Sequence, residues 1–237
     1  MKNKSALIYI FLLLHITGCG TTAKFIYPDN PQALRRYNSS SCGKTVAVTP
    51  FEEMRSSENQ SGTYFLFLVP FVPYGYGEYE RPDAARGFNT LTEFDFDPDE
   101  DLAKAAAYSL RKSGLFEDAF FTYGGEKSNA DYLLEGTIWS TKYRGNIYSY
   151  GLSIFGGYFW FFGLPIGTSQ NDLCLSLKLT DLQTGNIIWK KKLKTSKKIT
   201  QGIYYKYGHD VKGYSSAMEA IMNKTVREIK SALPNEN

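Results

Sequence analysis

Residues 173–180, Leu-Cys-Leu-Ser-Leu-Lys-Leu-Thr, alternate apolar and polar side chains without a break. A period of two is what a half-buried β-strand requires, because successive side chains point to opposite faces. The four leucines therefore face a core, and Cys174, Ser176 and Lys178 face away. Residues 181–186 carry turn chemistry, and 187–196 read as the returning strand of a hairpin. A chain with such a hairpin must supply apolar faces to cover the leucines.

Two helical patterns supply them. Asp97-Pro98-Asp99-Glu100 is an acidic helix start with proline in the first turn. Leu102, Ala105, Ala106, Leu110 and Leu115 follow near helical spacing, and Gly114 suits the helix end. Residues 215–233 form a second amphipathic pattern. Met218, Ile221, Met222, Thr225, Ile229 and Leu233 lie on or near one face, and Pro234 ends it. Further strands are predicted at 45–51, closed by Pro50, at 116–123 and at 132–139 running on towards Tyr143. Pro70 and Pro73 forbid a regular helix or central strand in 64–74. Residues 74–79, Tyr-Gly-Tyr-Gly-Glu-Tyr, read as a glycine–aromatic loop. The order strand, helix, four strands, helix predicts an α+β domain, a mainly antiparallel sheet with two helices packed on it.

The first eighteen residues have a different character. Lys2 and Lys4 precede an uncharged apolar run from 7 to 16, the layout of a signal peptide and too short for a stable bilayer span. Ile16-Thr17-Gly18-Cys19 then resembles the bacterial lipobox. That resemblance implies cleavage before Cys19, lipid on its thiol, and several acyl chains holding the protein to membrane lipid. Gly20 and Thr21 follow rather than Asp, which implies outer-membrane sorting with the domain facing the periplasm. Residues 19–43, with Pro28, Pro31 and three consecutive serines, are predicted as a lipidated cysteine and flexible tether. Such a tether could reach roughly 80 Å. A single domain is then expected over 44–237. Cys42 and Cys174 are left as a candidate disulfide in an oxidising compartment, or as two unrelated thiols. Loss of Lys2 and Lys4 lowers the net charge from +3 to +1, which excludes a nucleic-acid partner.

Several short motifs resemble one superfamily. Val46-Ala47-Val48-Thr49-Pro50-Phe51 resembles the opening strand of the curli secretion-channel lipoproteins and of the TolB amino-terminal domain. Ser113-Gly114-Leu115-Phe116 is similar to the segment after their first helix. Ala130-Asp131-Tyr132-Leu133-Leu134-Glu135-Gly136 is similar to a following strand, and Leu179-Thr180-Asp181 through Thr184-Gly185 to Trp189 to their hairpin. The penicillin-binding-protein activator lipoproteins share that fold. The resemblance spans about 45–232 and implies a fold serving envelope assembly, export and regulation, without a common reaction. Insertions at 63–80 and 145–172 depart from the plainer members.

The second insertion is the informative one. No charged residue lies between Arg144 and Asp172. The Gly156-Gly157 pair between two short apolar arms predicts a hairpin over 150–166. Phe155, Tyr158, Phe159, Trp160, Phe161 and Phe162 are its candidate contact residues. Left bare they would be an aggregation hazard, so a cover is required. That cover is the protein's own domain, on which the hairpin packs together with 64–74, the bilayer surface, or a partner that is another envelope protein or a second copy. Lys190, Lys192 and Lys194 share one strand face, either as an anion contact or as a solvated guard against edge pairing.

Catalytic signals are weak. His209 is the only histidine after the signal segment, no cluster has zinc-ligand spacing, and no nucleophile elbow or phosphate loop is present. The acidic run from Glu93 to Asp101 lacks a calcium-loop glycine and half of it serves a helix start. The expectation is a non-enzymatic lipoprotein without cofactor or metal. It is expected to assist assembly or stabilisation of an envelope complex. The alternative is handling of lipid or lipopolysaccharide by 64–74 and 150–166.

Overall fold

A computed structural model describes residues 22–34, 42–57, 60–84, 93–210 and 212–233. Cys19 and the lipobox lie outside them. The strands are β1 (Thr22–Lys24), β2 (Thr45–Val48), β3 (Glu52–Glu53), β4 (Gln60–Thr63), β5 (Tyr74–Tyr79), β6 (Glu93–Asp95) and β7 (Asp118–Phe121). They continue with β8 (Tyr132–Ser140), β9 (Tyr143–Tyr148), β10 (Gly167–Asp181) and β11 (Ile187–Gln201). The helices are α1 (Pro98–Ser113), α2 (Gly157–Phe161) and α3 (Lys212–Ala232).

The fold is α+β with one large, mostly antiparallel sheet. Its axis is β10. Along one edge β10 pairs over its whole length with β11. Along the other it pairs first with β9, through Gly167–Asn171, and then with β8, through Cys174–Asp181. β8 and β9 thus run as one strand interrupted at Thr141-Lys142, and the interruption divides the sheet. Beyond β8 lies β2, parallel to it, and then β7. Beyond β9 lies β5, antiparallel, and then β4.

The two halves bury different cores. Leu173, Leu175, Leu177 and Leu179 are fully buried on the inward face of β10, as the alternation requires. α1 and α3 cover them, α1 through Leu102, Ala106 and Leu110 and α3 through Met218, Ile221, Met222 and Ile229. α1 ends where Gly114 adopts the left-handed conformation with φ 70°, which costs glycine little. The other half has a small aromatic core of Tyr64, Tyr79, Tyr143 and Ile147, against which Phe67, Phe94 and Trp160 pack.

Two expectations change here, and one open alternative is decided. Residues 74–79 are a strand, not a loop. The glycines are there because Tyr64 lies across them: a Cβ on Gly75 would stand 2.0 Å from the Tyr64 carbonyl oxygen. The tether is not free over 22–34. β1 pairs in parallel with β6, Phe25 and Leu34 are buried, and the Asn30 amide donates to Glu219 of α3 at 3.0 Å. Alternating aromatics and prolines hid this docking, since no regular period marks it. Cys42 and Cys174 are not joined. Cys42 packs against the main core, while Cys174 sits on the opposite, outward face of β10 with Ser176 and Lys178.

Among the described residues no helix is long and apolar enough to cross a membrane. The β10 leucines set the stability of the larger half. Leu177→Ala is expected to cost about 2–5 kcal/mol in urea unfolding, against a change within about 0.5 kcal/mol for the exposed Lys190→Ala.

Candidate functional site: an aromatic end

The two insertions expected at 63–80 and 145–172 are one structure, because β5 and β9 pair. The segments leaving those strands meet at the end of the sheet. Tyr64–Leu68 is a 3-10 turn capped by the Thr63 hydroxyl, which accepts from the Phe65 amide at 3.2 Å. Tyr64 turns inward and Phe65 outward. Phe71 then adopts a positive φ of 67°, and its amide donates to the Gly151 carbonyl at 2.8 Å.

The second segment is helical, not the predicted hairpin. Ser153–Gly156 is a 3-10 turn that runs into α2. The reason lies at Gly156, the residue expected to make the turn. A Cβ there would stand 1.9 Å from the Ser149 carbonyl oxygen, so glycine lets the turn press against the preceding chain. The two segments are stitched by polar groups that a hydropathy reading overlooks. The Ser149 hydroxyl donates to Val72 O at 2.5 Å, and the Ser153 hydroxyl donates to Leu68 O. Tyr150 OH reaches Pro165 O at 2.7 Å, and Tyr204 OH reaches Phe161 O at 3.0 Å. Their backbone polar groups are largely satisfied internally, which leaves the outward surface to side chains.

That surface is aromatic. Phe71 is 93% exposed and Phe162 81%. Phe155, Tyr158 and Phe161 are also open, with Phe159 at the boundary. Trp160 alone of the six expected contact residues turns inward, its indole donating to Tyr148 O at 3.0 Å. The segments at 64–74 and 150–166 therefore touch each other without covering each other. Residues 60–77 and 145–171 hold no charge, so the end is a single uncharged apolar patch.

Beside it opens a cavity of about 430 Å³. Phe67, Ile147, Trp160, Ile166 and Ile203 form its apolar wall, and Gln201 and Asp210 its polar side. Asp210 is buried and accepts from Tyr143 OH at 3.2 Å and Gln201 Nε2 at 2.5 Å. Burial, then the Asp210 charge, hold the Tyr143 phenol well above its ordinary pKa. Asp210 gave no sign of this role in the sequence, where it stands between a loop histidine and a helix.

The lysines are elsewhere. Lys190, Lys192 and Lys194 lie on the outward face of β11 opposite Lys178, Ser176 and Cys174. At about 3.3 Å per residue, Lys194 is roughly 23 Å along the strand from Gln201 at the cavity. Lys192 Nζ stands 4.0 Å over the Trp139 ring, and Lys178 pairs with Glu135 at 2.8 Å. β11 is a sheet edge, and charged side chains along it oppose strand addition.

The acidic run is used by α1. The Asp97 amide donates to Asp101 at 2.9 Å, and Glu100 binds Lys104 and Tyr123. Among the described residues no three His, Cys, Asp or Glu side chains are grouped to hold a metal ion. Burial, then Lys212, keep His209 below its ordinary pKa.

No known protein family matches the chain. No curated protein matches it. Among solved structures it is similar to protein XCC0632 from Xanthomonas campestris, with a TM-score of 0.47, 8% identity, and 90% of this chain and 95% of that one covered. It is also similar to the PelC dodecamer from Paraburkholderia phytofirmans, with a TM-score of 0.40, 16% identity, and 84% and 96% covered. These similarities assign neither family nor function.

One titration is testable at the helix start. A hydrogen bond with Asp99, burial, and the charges of Asp99, Glu100 and Asp101 push Asp97 up from 3.8 to about 6. A folded-state pKa above the unfolded one favours folding at low pH, and that gain is lost as pH rises through 6. Asp97→Asn is therefore expected to raise Tm at pH 7.5 and change it little at pH 4. An equal shift at both would contradict this assignment.

Proposed function

We propose that this chain is a membrane-anchored lipoprotein acting as a non-catalytic accessory in assembly or stabilisation of an envelope complex. Its working surface is the aromatic end. The observation that carries this reading is the convergence of two uncharged segments whose aromatic side chains stay exposed while their polar groups bond to one another. A surface built that way is ordered before it meets anything, so contact costs little conformational entropy. Cys19 carries the lipid, and the domain faces the periplasm from the outer membrane.

The test is the size of the complex solubilised from cells in mild detergent. The wild-type protein is expected to elute in a larger assembly. The Phe155→Ser/Phe162→Ser protein is expected to elute alone, with its circular dichroism and Tm retained. Lys190→Ser/Lys192→Ser is expected to stay in the assembly. A wild-type protein that elutes as a lone monomer contradicts the reading, as does an assembly that the aromatic substitutions leave intact.

Handling of lipid is a second reading, favoured by the cavity and by where the chain enters the fold. Ala23 pairs with Phe94, whose ring lies 5.4 Å from that of Tyr143 in the small aromatic core. Cys19 is three residues before Thr22, a reach of about 10 Å. On this reading an acyl group on Cys19 enters the fold near Phe94, which packs against both cores.

A further inference from the structure

We infer that the aromatic end docks on an anionic lipid bilayer, with its phenylalanines in the headgroup layer and the lysines beside it on lipid phosphate. This rests on the lipid-handling reading and names the surface at which lipid is met.

A protein and a bilayer place different demands on a surface. A protein partner can complete hydrogen bonds that a loop leaves open. Hydrocarbon cannot, and each open backbone group carried into it is costly. The amides of this end are turned inward. Phe71 N donates to Gly151 O at 2.8 Å, Leu152 N to Ser149 O at 3.0 Å and Phe155 N to Leu152 O at 3.1 Å. Past α2, Phe162 N donates to Phe159 O at 3.1 Å, Gly163 N to Trp160 O at 3.0 Å and Leu164 N to Phe159 O at 3.1 Å. What faces out is ring surface, at Phe71, Phe155 and Phe162 above all. A tip of that kind suits shallow entry at the level where an amphipathic helix lies.

The sign of the lipid is set by charge. Residues 182–209 carry seven lysines and no acidic residue. Two of those lysines stand beside the end. Lys206 is exposed in the turn whose Tyr204 OH donates to Phe161 O of α2. Lys198 is exposed opposite Gln170, about 10 Å along β11 from Gln201. Acids near that turn are turned away from the surface or paired: Asp210 is buried, and Asp29 lies 3.9 Å from Lys212. Tyr204 and Tyr207, on either side of Lys206, are exposed and match the aromatic belt of a membrane interface. Phenylalanine tip, tyrosine belt and lysine fringe are thus stacked in the order that an anionic interface requires.

The test is co-sedimentation of residues 19–237 carrying Cys19→Ser, which contain every described residue and bring no acyl chain of their own. The vesicles are phosphatidylglycerol with phosphatidylethanolamine in equal parts, or phosphatidylcholine alone. Tight binding is expected to the first, weakened by salt, and weak binding to the second. Lys198→Ser/Lys206→Ser is expected to lose roughly thirtyfold in affinity for the anionic vesicles. Lys190→Ser/Lys192→Ser, about 30 Å or more back along β11, is expected to change it little. In Phe162→Trp, brominated acyl chains in the anionic vesicles are expected to quench tryptophan fluorescence beyond the wild-type level. Equal binding to both vesicles overturns the anionic assignment. Sedimentation without added quenching overturns the docking, as does an equal loss in the two lysine variants. Absence of sedimentation with either vesicle also overturns it. Lipid that still co-purifies with the wild-type protein, seen by mass spectrometry, then leaves lipid handling standing. A detergent-stable assembly that depends on Phe155 and Phe162, without vesicle binding, assigns the end to a protein partner instead.

Discussion

Everything in this domain hangs on the ladder of β10. It pairs with β11 on one edge and with β9 and then β8 on the other, and so joins the two halves of the sheet. Its sequence changes character at Leu173. From there onward it presents leucines to two helices. Before that point it presents Gly167, Ser169 and Asn171 to the same side, and only the first turn of α3, at Gly213 and Tyr214, comes against Asn171. The break at Thr141-Lys142 falls where its neighbour passes from one regime to the other. A large aliphatic core and a small aromatic one are thus built on a single strand.

The second regime explains the aromatic end. Small side chains on β10 and glycines on β5 leave room for Tyr64 and Tyr143 to lie inward and meet Asp210 and its neighbours. The space that remains is the cavity. The segments above it have little apolar surface left to pack on, so their phenylalanines point out. Exposed aromatics here follow from how the second core is filled.

The larger half was legible in the sequence. Period-two alternation at 173–180, the proline start and glycine stop of α1, and the spacing of Met218, Ile221, Met222 and Ile229 in α3 each carry their own physical signature. The smaller half was not. Residues 167–171 hold no hydrophobic side chain, so the first third of β10 read as the tail of an insertion. The glycines of 74–79 signalled a loop, although close passage of Tyr64 is what requires them. The Gly156-Gly157 pair signalled a turn between strands, although Gly156 serves contact with Ser149. The six candidate aromatics stand out by the absence of charge around them, and Trp160 among them turns inward. Asp210 carries no such sign in the sequence because Tyr143, which donates to it, stands 67 residues away and only the fold brings the two together.

On the proposed function the aromatic end, and not the lysine face of the sheet, meets what this protein acts on. A photoreactive phenylalanine analogue placed at Phe162, with Lys194 as the comparison site, tests it in intact cells. One dominant crosslinked product is expected from position 162, to a defined protein or to lipid, and none above background from position 194. A strong product from position 194 with none from 162 would contradict it.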